Sequence, residues 1–153
     1  AWLDANKPDD VDSCVIHGDW RIDNVVFDLG KARIVGVLDW ELATVGDPLM
    51  DLGSSLAYWV DSDDEPAFAS LRRQPSHLKG MPTRNEFVNR YLALSKRRCD
   101  DFTFYEVFGL FRLAVIIQQI WARFRAGQTT NPAFAGFGDA VNILVNRAES
   151  KIK

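Results

Sequence analysis

One interval constrains this chain more than any other: Asp19 and Asn24 stand five positions apart, and Asp39 follows fifteen residues after Asn24. Between them lie two apolar runs with strand character, Val25-Val26-Phe27 and Ile34-Val35-Gly36-Val37-Leu38. They are separated by Asp28-Leu29-Gly30-Lys31, whose glycine is available for a positive φ. The segment therefore reads as strand, tight turn, strand. Such a hairpin folds Asp39 back beside Asn24, so that an amide oxygen and a carboxylate meet. Two oxygen donors from neighbouring loops suit Mg²⁺, which keeps several waters and takes its remaining ligands from phosphates. Taken singly, Asp19 fits a turn or a cap and Asn24 an Asx-turn; the shared spacing is what favours one common site.

The stretch His17-Gly18-Asp19-Trp20-Arg21-Ile22-Asp23-Asn24 resembles the H-R-D-x-x-x-x-N loop of protein kinases, with glycine in place of the arginine. Downstream runs Asp39-Trp40-Glu41-Leu42-Ala43-Thr44-Val45-Gly46-Asp47-Pro48-Leu49-Met50-Asp51-Leu52. With it the chain resembles the aminoglycoside phosphotransferase and choline kinase superfamily, whose fold is similar to that of protein kinases. Within that superfamily it most resembles the domains found alone or fused to acyl-CoA dehydrogenases. The likeness is dense over residues 14–59 and is one of helical character beyond them.

The resemblance implies a catalytic base at Asp19, magnesium ligands at Asn24 and Asp39, and a loop-bracing histidine at His17. Arg21 occupies the place where protein kinases direct a lysine at the transferred phosphate, although aminoglycoside enzymes often carry histidine there. Asp51 matches a carboxylate that supports the catalytic loop from the following helix. The implied reaction is transfer of the γ-phosphate of ATP, or GTP, to a hydroxyl of a small molecule, with Mg²⁺ as cofactor. A hydroxylated acyl compound is the acceptor that the fused domains suggest, beside aminoglycosides, choline and sugars. Two rival readings remain. A pseudokinase-like binding module has no need of the intact Asp19, Asn24 and Asp39 set. A metal-dependent hydrolase calls for a second basic or histidine-rich cluster, and the only other histidine is His77.

The expected architecture is α+β: the mainly helical C-terminal lobe of a kinase-like fold, one domain over residues 1–153 with a small β-hairpin carrying the catalytic and metal loops. A strand at 14–16 leads into the catalytic loop 17–24, the hairpin 25–38 and a metal loop 39–47. A helix over 48–59, a loop over 60–83 and helices near 84–98, 102–126 and 137–150 follow. Asp47 before Pro48 is the expected N-cap, and Gly127 the expected end of the long helix. No G-x-G-x-x-G or Walker A pattern occurs, and the thirteen residues before Cys14 leave no room for a phosphate-covering hairpin with its lysine. The chain is therefore expected to lack the N-terminal nucleotide-binding lobe, to turn over weakly alone, and to expose apolar surface that favours a homodimer.

A chain of 153 residues with 47% hydrophobic content buries one sizeable core. The formal charge of −3 and a pI near 5.3 give no attraction to nucleic acid or an anionic membrane. Two cysteines, Cys14 and Cys99, make no disulfide framework, and a reducing cytoplasm is the expected compartment. Val107 to Trp121 is strongly apolar but interrupted by Arg112, Gln118 and Gln119, and reads as a core helix packed on several sides. The run Asp61-Ser62-Asp63-Asp64-Glu65 reads as solvated surface rather than a lure for a cationic substrate. Tyr58, Trp59 and Trp121 are core aromatics unless they line an acceptor pocket, and the loop 60–83 is the expected seat of substrate choice.

Overall fold

Aspartate followed by proline is a strong helix start, and the first long helix begins there. In the computed structural model, which describes residues 1–152, the Asp47 carboxylate accepts the Leu49 N–H at 2.8 Å and Pro48 opens the helix Pro48–Leu56. The elements in order are α1 (Trp2–Ala5), β1 (Cys14–Ile16), β2 (Val25–Asp28), β3 (Arg33–Val37), β4 (Thr44–Gly46) and α2 (Pro48–Leu56). Then come α3 (Pro66–Ala69), α4 (Arg84–Ser95), α5 (Thr103–Arg125) and α6 (Phe137–Lys151). The class is α+β, with two separate two-stranded antiparallel sheets, β1 with β4 and β2 with β3.

The core is built on α2 and α5. Leu49, Leu52, Leu56 and Trp59 pack with Val88 of α4 and with Phe104 and Tyr105 of α5. A second cluster joins Ala57, Val60 and Phe68 to Leu110, Leu113 and Ala114 of α5 and Leu144 of α6. The two central helices touch backbone to backbone. A Cβ on Gly109 would stand 2.0 Å from the Gly53 carbonyl oxygen, and one on Gly53 would stand 2.1 Å from that of Tyr105. Only glycine at both positions permits this approach, and it holds the start of α2 rigidly beneath the loop that precedes β2.

Several expectations need correction. The hairpin turn takes its positive φ at Ala32 (47°) rather than at Gly30, because the Asp28 carboxylate captures the Lys31 N–H at 3.1 Å and shapes the turn before the glycine is needed. Residues 39–47 are not one irregular loop: a 3₁₀ turn over Trp40–Leu42 leads into β4, which pairs Thr44 with Ile16 and Val45 with Val15. The helix expected to reach residue 59 ends at Leu56, and the one expected to reach 98 ends at Ser95, where Lys96 turns left-handed at φ 57°.

The stretch 60–83 is also more ordered than a plain loop. It holds α3 and a 3₁₀ turn over Pro75–His77, and Ser76 Oγ bonds both the N–H and the carbonyl of Val60. Its acidic run is only partly solvated: Ser62, Asp63 and Glu65 are exposed, as expected, but Asp61 and Asp64 are not. The Asp64 side chain is 5% exposed and forms ion pairs of 2.7 Å with both Arg84 and Arg147, while Asp61 pairs with Arg84 at 3.1 Å. Finally, α5 is long and apolar enough to cross a membrane by length and composition, but only 28% of that apolar window is buried. Its fully buried residues run from Phe104 to Ala114 and lie on several sides of the helix, as expected, while Phe111 is 52% exposed and the second half is only partly covered. Gly127 does take a left-handed φ of 70° just past its end.

Candidate active site

The catalytic loop is short and polar, so its backbone groups need partners from elsewhere. Asp51, on the first turn of α2, supplies two: its carboxylate oxygens accept the His17 N–H at 2.8 Å and the Gly18 N–H at 2.9 Å. Gly18 takes a φ of 80°, and a Cβ there would meet the Leu42 carbonyl oxygen at 2.4 Å. Glycine at this position, where protein kinases have arginine, is therefore a steric requirement of this loop. The Gly18 carbonyl in turn accepts from the Arg112 guanidinium, which reaches across from α5.

His17 is buried between the rings of Trp20 and Trp40, with centroids at 5.9 and 4.8 Å. Its Nδ1 accepts the Asp19 N–H at 3.2 Å, which leaves Nε2 to carry the hydrogen donated to the Leu38 carbonyl at 2.8 Å. One imidazole thus ties the residue that will present Asp19 to the residue just before Asp39. Asn24 closes the frame. Its side-chain amide donates to the Asp19 carbonyl at 2.8 Å, and its own carbonyl accepts the Leu38 N–H at 2.8 Å.

This arrangement follows from the hairpin register. Val25 faces Val37, so Asn24 faces Leu38 and Asp39 lies one residue beyond. With its NH₂ turned to the loop backbone, Asn24 keeps the carbonyl oxygen of its amide for another partner. Asp39 sits at φ 66°, ψ 50°, a left-handed conformation that aspartate tolerates better than most residues, and it is exposed. An amide oxygen and an open carboxylate form a hard-oxygen pair that fits a magnesium ion completing its shell from water and phosphate. Among the described residues no cluster of three or more His, Cys, Asp or Glu side chains could hold a metal unaided. His77 joins no second group of the kind a hydrolase would call for.

Arg21 lies against both the loop and a neighbouring cleft. Its Nε is 3.7 Å from Asp19 Oδ2, its Nη2 3.8 Å from Asp23 Oδ2, and its guanidinium carbon 4.9 Å from the centre of the Tyr58 ring. The cleft has a volume of about 700 Å³. Its walls combine Arg21, Asp23 and Tyr58 with apolar residues of α5 and α6 such as Leu113, Ile117 and Ile143. Of the three aromatics considered from sequence, Tyr58 lines this cleft, Trp59 is buried in the core, and Trp121 packs on Gly138. Glu41 is exposed and pairs with nothing in the catalytic loop.

Two residues that hold the loop were not singled out from sequence. Arg112 is the one charged residue in the apolar stretch from Val107 to Trp121, 94 positions from its partner. Gln74 is buried, and its Oε1 accepts the Ile22 N–H at 2.8 Å, fixing the 3₁₀ turn over Ile22–Asn24. The one signal for Arg112 is its isolation among apolar residues; nothing local marks Gln74.

Comparison with known proteins decides the family. The phosphotransferase enzyme family model matches residues 1–87. The chain belongs to the phosphotransferase enzyme family. It is 37% identical over 132 residues to acyl-CoA dehydrogenase family member 10 of Mus musculus, covering 85% of this chain and 12% of that protein. To acyl-CoA dehydrogenase family member 11 of Homo sapiens it is 32% identical over 155 residues, covering 94% of this chain and 18% of that protein. The chain thus spans less than a fifth of these curated relatives, which carry a domain of this kind. A crystal structure assigned as an aminoglycoside phosphotransferase from Ralstonia eutropha superposes with a TM-score of 0.80 and 26% identity. That match covers 98% of this chain and 46% of the other. The fold is the kinase-like one of aminoglycoside phosphotransferases.

Proposed function

We propose that this chain supplies the catalytic half of an ATP- or GTP-dependent phosphotransferase that phosphorylates a hydroxyl of a small molecule. The observation that carries the reading is the frame around Leu38. His17 on its carbonyl and Asn24 on its N–H bind the catalytic loop to the start of the Asp39 turn, holding base and ligands at neighbouring ends of one hairpin.

In this mechanism Asn24 and Asp39 would hold Mg²⁺, which would supply positive charge to neutralise the charge developing on the nucleotide phosphates. Asp19 orients the acceptor hydroxyl and takes its proton as the new oxygen–phosphorus bond forms and the bond to the departing diphosphate breaks. Arg21, beside Asp19, faces the transferred oxygens. The cleft beside Arg21 is largely apolar, and the curated relatives are named as acyl-CoA dehydrogenase family members. Both favour a hydroxylated acyl acceptor over a polycationic one. Of the acidic run that could have drawn a cation, Asp61 and Asp64 are held in ion pairs with Arg84 and Arg147.

The test is an Asp19→Ala variant of the full-length protein, assayed with nucleotide, magnesium and a panel of hydroxyl acceptors. Turnover should fall by about 10²–10⁴ while nucleotide affinity stays within twofold, because the base acts mainly in the transition state. Undiminished turnover would reject the assignment.

A further inference from the structure

Tyr58 occupies a place that its sequence position does not announce. It follows α2 in a tight turn in which its N–H donates to the Ser55 carbonyl at 3.2 Å. Its ring carries the Arg21 guanidinium at 4.9 Å, and the same guanidinium has its Nε 3.7 Å from Asp19 Oδ2. That distance is too long for a hydrogen bond, and Arg21 Nε is buried with no partner. A cation so placed is held by the tyrosine face rather than by the carboxylate. Tyr58 is also part of the wall of the 700 Å³ cleft, together with Arg21 and Asp23. Burial first, and then the nearby Asp19 carboxylate, push its hydroxyl above the ordinary phenol value, so the group remains a neutral donor throughout the neutral range.

Resting on the phosphotransferase reading above, we propose that Tyr58 is an acceptor-positioning residue with two separable functions. Its ring holds Arg21 in line with Asp19, and its hydroxyl, in the cleft wall beside Arg21, hydrogen-bonds the acceptor oxygen that Asp19 deprotonates. A phenol donor next to a carboxylate acceptor gives an alcohol oxygen one partner of each kind, which selects its orientation before transfer. The apolar wall then takes the carbon chain that bears the alcohol.

The two functions are separated by two substitutions in the full-length protein. Tyr58→Phe keeps the ring and removes the hydroxyl; Tyr58→Leu removes both. The probe is the best phosphoryl acceptor from a panel of straight-chain hydroxyacyl thioesters, and hydrolysis of ATP to water without acceptor is the reference reaction. Tyr58→Phe should raise the acceptor KM and lower kcat/KM about tenfold, with the KM for ATP within twofold of the unsubstituted protein. Tyr58→Leu should lose a further tenfold or so and slow the water reaction as well, because Arg21 is no longer held. Equal acceptor kinetics in Tyr58→Phe and the unsubstituted protein would overturn the hydroxyl function. Equal kinetics in Tyr58→Phe and Tyr58→Leu would overturn the ring function. Absence of transfer to every acceptor in the unsubstituted protein, with nucleotide bound, would instead overturn the phosphotransferase reading and this proposal with it.

Discussion

The two sides of the site are built differently. The catalytic loop is gripped from every direction: Asp51 below, His17 within, Arg112 from α5, and Gln74 at its far end. Asp39 stands on an exposed 3₁₀ turn at the end of a hairpin whose outer residues, including Val26, Phe27, Ile34 and Leu29 (87% exposed), are open to solvent. A base must hold its alcohol within a few tenths of an ångström, and rigidity provides that. Under the proposed function, a metal ligand whose shell the nucleotide completes can stand in the open.

The largest effect that tests this contrast lies under the rigid side. Gly109→Ala places a methyl 2.0 Å from the Gly53 oxygen, and α2 and α5 must separate. The expected cost is about 3–5 kcal/mol, and thermal unfolding followed by circular dichroism should show either a melting point lowered by more than about 10 °C or no cooperative transition.

Asp51→Ala comes next. It leaves the His17 and Gly18 N–H groups without their acceptor and should cost about 2–4 kcal/mol in denaturant titrations, together with the activity that depends on loop position.

Smaller still is the acid sensitivity of the pinned 60–83 stretch. Burial alone would raise the Asp64 pKa, but the hydrogen bonds from Arg84 and the Asp61 N–H, with Arg147 nearby, bring it below its ordinary 3.8. A depressed carboxyl contributes stability above its unfolded-state value and loses it as pH falls through the lower, folded-state one. Asp61, pushed upward by burial against the pull of Arg84, works in the opposite sense. Stability should therefore drop by on the order of 1 kcal/mol from Asp64 as pH falls below about 4, and Asp64→Asn should flatten that part of the melting curve against pH.

The smallest structural effect belongs to the open side. Asp39→Asn should leave stability within about 0.5 kcal/mol, since the residue is exposed and asparagine accepts a left-handed backbone. The same variant should abolish the magnesium dependence of nucleotide binding measured by calorimetry. A large loss of stability there would erase the contrast.

How much of this was legible in the sequence follows the range of the interactions. The hairpin, the Asp47 cap and the catalytic loop are local patterns with strong residue preferences, and they stand where the spacing put them. The β4 strand is three residues long and finds its partner some thirty positions back, so periodicity has nothing to work on. Asp28 displaced Gly30 as the maker of the turn through a side-chain bond that composition does not rank. The acidic run looked solvated because its partners, Arg84 and Arg147, lie 20 and 83 positions from Asp64. Arg112 and Gln74 reach the loop in the same way, through folded contacts that no window contains. The bracing roles of His17 and Asp51 were readable from the motif, while those of Arg112 and Gln74 were not.

The most direct measurement of the central claim is a crystal structure of the full-length protein with Mn²⁺ and a non-hydrolysable ATP analogue, with the metal located by its anomalous scattering. The account predicts a metal bonded at about 2.0–2.2 Å to Asn24 Oδ1 and an Asp39 carboxylate oxygen, with Asp19 facing the γ-phosphate and not ligating the metal. A metal bound elsewhere, or coordinated by neither Asn24 nor Asp39, would contradict it.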